Sequence, residues 1–139
     1  MGSSTLLASG VALTTSPVAS TNSAPVAGLG SHTLHVLWTP GTANNVLTVA
    51  IDFRVQTTAA AGTTWTQEMQ WGESSVVSGT RTNTRTLEQY QFTAAGTTEI
   101  GLYINVKCDA GDVRIRYSES EAGSSTKGTI TAYLLSSKA

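Results

Sequence analysis

Few side chains here are of types that do chemistry, and their spacing narrows what they can do. His32 and His35 are the only histidines. In an extended strand a spacing of three puts them on opposite faces, so they cannot jointly grip a metal ion. No G-x-S-x-G elbow is present to present a serine nucleophile. Asp109 and Asp112 flank Ala110-Gly111 without an EF-hand pattern, which reads as a hairpin loop before a cation site. Glu119 and Glu121 share a strand face near Lys127. Nothing points to the cleft that a glycosidase carboxylate pair needs, so solvated charges are expected. Cys108 is the only cysteine and ends an apolar stripe, where a buried, inert thiol is the simple expectation. The chain thus offers no assembled catalytic set, and neither enzyme activity, a cofactor nor a bound metal is expected.

Two groups remain open. Trp65 and Trp71 share strand parity with Gln67 and Met69. Facing outward, the two indoles would make a sugar-stacking platform; facing inward, they would be core and rim anchors, which Met69 between them favours. Arg114 and Arg116 project together from one strand. Asp52 or a glutamate is their simple partner within the chain, and an inter-subunit salt bridge is the sharper possibility.

The elements that must position these groups are strands. Leu34, Val36 and Trp38 alternate with polar neighbours, and Leu47, Val49, Ile51, Phe53 and Val55 do so over nine residues. This period of two fits a half-buried strand and not a helix. Tyr90 and Phe92 mark another inner face, as do Ile100, Leu102, Ile104, Val106 and Cys108. Val113, Ile115 and Tyr117 follow, and Ile130, Ala132 and Leu134 close the chain. About eight short strands at sandwich-like spacing are expected across residues 32–139, antiparallel because the loops are too short for helical crossovers.

Composition agrees. The chain has 139 residues, one domain's worth. It holds 23 threonines and 16 serines, and only 12% of its residues are charged, against about 25% in ordinary soluble domains. A net charge of −1 gives no electrostatic case for nucleic acid or an anionic membrane. The deficit is local, because the first charged residue is Asp52. Residues 1–31 are rich in Ser, Thr, Ala and Gly, with no charge to keep them solvated as a disordered linker. They are expected to form an extended N-terminal arm held by a partner. Its apolar residues Leu6, Leu7, Val11, Leu13, Val18 and Val26 would supply the contacts, with Arg114 and Arg116. No basic residue precedes Leu6–Leu13, which makes it a poor signal peptide.

The segment GLYINVKCDAGDVRIRYSESEAGSSTKGTITAYLLSSKA resembles small structural proteins of tailed bacteriophages. The likeness lies in a long apolar strand, a D-x-G-D-type turn, the strand Val113-Arg114-Ile115-Arg116-Tyr117 and a closing Gly128-Thr129-Ile130-Thr131-Ala132. It covers the C-terminal 39 residues and carries over no functional residue. It implies a jelly-roll-like β-sandwich on a virion, such as a capsid decoration protein. Such a protein would be made in the host cytoplasm and bind the major capsid protein and its own copies, as a trimer. A carbohydrate-binding or adhesin module using Trp65 and Trp71 is the alternative.

Overall fold

The computed structural model describes residues 3–26, 30–54, 64–107, 111–120 and 126–137, with side chains undescribed at 69–75 and 81–86. Among these residues the protein is all-β, and its sheets are antiparallel. The two long alternating runs become β4 (His32–Thr39) and β5 (Val46–Arg54), with Leu34, Val36 and Trp38 buried on one and Leu47, Val49 and Ile51 on the other. Later runs become β10 (Ile100–Val106), β11 (Asp112–Ser120) and β12 (Thr129–Ser136).

The chain divides these strands between two sheets. The first is four-stranded, in the order β1-β12-β4-β10, where β1 is Ser3–Ala12. The second is built on β11 and β5. Short pieces flank that pair: β2 (Val18–Ala19) and β3 (Ala24–Pro25) on β11, and β6 (Thr66–Gln67) and β9 (Tyr90–Thr93) on β5. Inward residues of both sheets share one core, giving a sandwich-like arrangement. Outside it, β7 (Met69–Val77) and β8 (Thr80–Leu87) form a separate two-stranded hairpin. Its turn holds Ser78 and Gly79, both at positive φ, the conformation of a tight hairpin turn.

Three expectations change. Residues 1–31 do not reach away from the sandwich where they are described. β1 is the edge strand of the first sheet, and β2 and β3 line the edge of the second. Two irregularities in register, one beside Gly10 at φ +54°, let Leu7 and Ala8 both turn inward. Leu7, Leu13 and Val26 are therefore core residues of this chain and cannot serve a partner; only Leu6 and Val18 stay exposed, and Val11 packs partly against the core. The physical reason is that an uncharged segment with spaced apolar residues finds a sheet edge in its own fold. Next, β10 and β11, expected to pair across the Asp109–Asp112 turn, lie in different sheets. Finally, among the described residues there are twelve strands against about eight expected, three of them, β1–β3, in the segment read as an arm. Val55, Cys108, Asp109 and Glu121 lie outside the described residues.

Candidate functional site

The outer face of the first sheet is the surface that sequence reading missed. Its four strands contain no Asp, Glu, Lys or Arg. Registers place Leu6 opposite Tyr133, Tyr133 opposite His35, and His35 opposite Tyr103, so one row crosses all four strands. The His35 and Tyr103 rings stack at 4.4 Å with planes 5° apart, and Tyr133 tilts toward His35 at 6.4 Å. Tyr103 is 67% exposed. A neighbouring row runs Ser4, Leu135, Thr33 and Asn105. A shallow groove of about 580 Å³ opens at this end, lined by serines, Thr33, Tyr103 and Leu135. Beneath it, buried His32 holds Ser136 through Nδ1 at 2.7 Å, and the Ser31 and Ser137 hydroxyls meet at 2.9 Å. The signal in the sequence was the outward parity of His35, Tyr103 and Tyr133, legible only once their strands were known to be neighbours.

The outer face of the second sheet is built differently. Asp52, only 2% exposed, accepts from Arg114 Nε at 3.0 Å and from Arg116 Nε at 2.8 Å and Nη2 at 3.0 Å. Arg116 Nη2 also donates to Gln67 Oε1 at 2.7 Å, and Arg54 Nε donates to Asp112 at 3.0 Å. The simple reading of Arg114 and Arg116 is the one found, since their ion pairs are within the chain. Trp65 carries both the Arg54 and Arg114 guanidinium carbons at 4.5 Å from its ring centroid. An indole face engaged by cations is not free for a sugar. The Trp71 side chain, the other half of the expected pair, lies outside the described residues.

Two carboxylates have structural surroundings. Glu119 was expected in solvent and is fully buried. It accepts from Gly41 N at 3.1 Å, Asn45 Nδ2 at 3.4 Å and Gly128 N. The parity of Val113, Ile115 and Tyr117 continues inward to Glu119, which is the signal that pointed there. Gly41 and Gly128 let the two loops meet backbone to backbone, because a Cβ on either would collide with the opposite main chain. Glu68 is buried beside Tyr90, whose hydroxyl donates to its Oε2 at 3.1 Å. Burial pushes the Glu68 carboxyl up from its ordinary value, and burial together with Glu68 pushes the Tyr90 phenol up. Nearby Lys107 pairs with Glu88 at 3.4 Å. No three His, Cys, Asp or Glu among the described residues gather as metal ligands do.

These features define an all-β, sandwich-like protein with one charge-free sheet and one whose charges are neutralised within the chain. Compared with known proteins, it matches no family model and no curated sequence.

Proposed function

We propose that this chain is a non-enzymatic structural subunit of a larger assembly, of the kind that decorates a virus capsid. A jelly-roll-type arrangement of its sandwich fits that role. The observation that carries the reading is the outer edge of β1. It is ten residues long, mostly exposed, and at the end of its sheet. It has neither the charged side chains nor the proline with which natural edge strands repel partners. β10, at the opposite edge, has no charge either. The Leu6 and Leu7 carbonyls of β1 accept from Asn22; elsewhere such an edge can pair with another chain, and hydroxyl-rich neighbours cost little to desolvate compared with Lys or Glu. The N-terminal segment thus keeps its role in assembly as an edge strand instead of a free arm. Copies of the chain joined edge to edge in a closed ring, with the shell protein as a further partner, are the expected arrangement. Leu6 and Val18 are the exposed apolar residues of this segment that would be covered.

Light scattering on the full chain tests this. An oligomer is expected that dissociates to the monomer when Thr5 and Ser9, both exposed on β1, are changed to lysine. A wild-type chain that is monomeric up to millimolar concentration and binds no capsid shells overturns the proposal, as does an oligomer indifferent to both lysines.

A further inference from the structure

The face between those edges has its own chemistry. It combines an aromatic row, an adjacent neutral row in which Ser4 and Thr33 carry hydroxyls and Asn105 an amide, and no formal charge on any of its four strands. An anionic or cationic ligand would find no counter-charge on the described residues of those strands. A purely apolar one would leave the groove's hydroxyls buried and unpaired, which is unfavourable. A ligand that matches has apolar C–H faces edged by neutral hydroxyls, which is the description of a saccharide. We propose that the outer face of β12-β4-β10, with Tyr103 as its stacking platform, binds a neutral oligosaccharide.

The geometry supports a built site. Tyr103 presents a ring face to solvent, while the His35 imidazole stacked at 4.4 Å fixes its orientation. Little rotamer freedom remains to be lost on binding. With one face stacked on His35, the Tyr103 ring has a single face left for a sugar ring, while Tyr133 tilts toward the other side of His35 at 6.4 Å. Gly101 lies on the same face, where a Cβ would sit 3.7 Å from His35 Nε2 and 3.8 Å from Leu37, so a larger side chain there would crowd the His35 ring. At the groove, Ser136 is oriented by His32, which is only 7% exposed. The volume of about 580 Å³ lies within the usual range for small-ligand sites. Tyr103 lies on the edge strand β10, and Ser3 and Ser4 line the groove from β1; glycan binding reads this site and light scattering reads assembly, so failure of one proposal is distinguishable from failure of the other.

The test is a glycan array probed with the full chain, followed by NMR titration of the best neutral oligosaccharide, with sialylated and sulfated glycans as counter-probes. Binding to a neutral glycan is expected, with shifts at the Tyr103 ring and His35 imidazole. Affinity should fall more than tenfold in Tyr103→Ala and in Gly101→Val, be largely kept in Tyr103→Phe, and be unchanged in Trp65→Ala. Light scattering on the same samples should show the oligomer of the unmodified chain. The proposal is overturned by an array with no neutral glycan bound, by binding confined to anionic glycans, or by binding that survives Tyr103→Ala. A Tyr103→Ala chain that changes mass without any glycan binding makes the face a protein contact and overturns it too.

Discussion

The two sheets bury the same core and treat their outer faces in opposite ways. The first has no charge to place, and its outward residues are aromatic, aliphatic or hydroxyl-bearing. The second places Asp52 and Asp112 under arginines, so that both carboxylates of its outer face are paired. The difference separates two demands on a β surface. A face that neutralises its own charges is finished within the chain, because exchanging those partners for a ligand would break ion pairs. A face without charges has nothing to give up when it is covered.

The strongest way to break this comparison is to break the join between the sheets. Gly128→Ala forces a Cβ into the Thr39 carbonyl oxygen and disturbs the amide that holds Glu119. A loss of about 4 kcal/mol or more in denaturant unfolding is expected, in the range reserved for such clashes. Next is Leu7→Ala, which truncates a fully buried side chain of β1; about 3 kcal/mol should be lost. A free arm would lose nothing, so an unchanged midpoint would remove β1 from the fold. Deleting residues 1–30 should likewise destabilise the sandwich, contrary to what an arm predicts.

Asp52→Ala probes the second sheet. It leaves two arginines without their carboxylate, at about 2 kcal/mol after allowance for guanidinium exposure to water. Acid sensitivity from carboxylates belongs to the rest of the chain, since the first sheet has none. Glu68 has a raised folded-state pKa, so the folded state binds its proton more tightly than the unfolded state does. Its stabilising contribution is full below its ordinary value of 4.5 and is lost as pH rises through the raised value. Melting temperatures should therefore show Glu68→Gln gaining over wild type at pH 7 and losing that advantage toward pH 4. A constant difference across that window would mean that Glu68 does not titrate as its burial requires. The smallest effect is expected from Leu37→Thr on the outer face of the first sheet, within about 0.5 kcal/mol by thermal unfolding. A larger loss would mean that this face is structural.

Part of the fold was legible from local pattern. The parity of Leu34-Val36-Trp38, Leu47-Val49-Ile51 and Ile130-Ala132-Leu134 set which side of each strand would be buried. The sequence leaves Asp52, a glutamate or another subunit open as partner for Arg114 and Arg116, and register selects Asp52 by placing it directly opposite Arg114. The candidate site was not legible. Tyr133, His35 and Tyr103 are far apart in the chain and become one row only through the registers of β12, β4 and β10. Glu119 was misjudged because its charge outweighed its parity; three donors from distant loops make its burial tolerable, and no local pattern announces them.

By itself, then, the sequence determined that this chain is β-structured, because a period of two admits no helix. It also determined that the charge-free stretch could not remain a solvated linker. Tertiary structure decided where that stretch goes: β1 pairs with β12, and Leu7 and Leu13 enter the chain's own core. Alternation specifies which face of a strand is buried, but not which edge it joins. Edge choice is made by the register, bulges and loop contacts of strands that are distant in sequence.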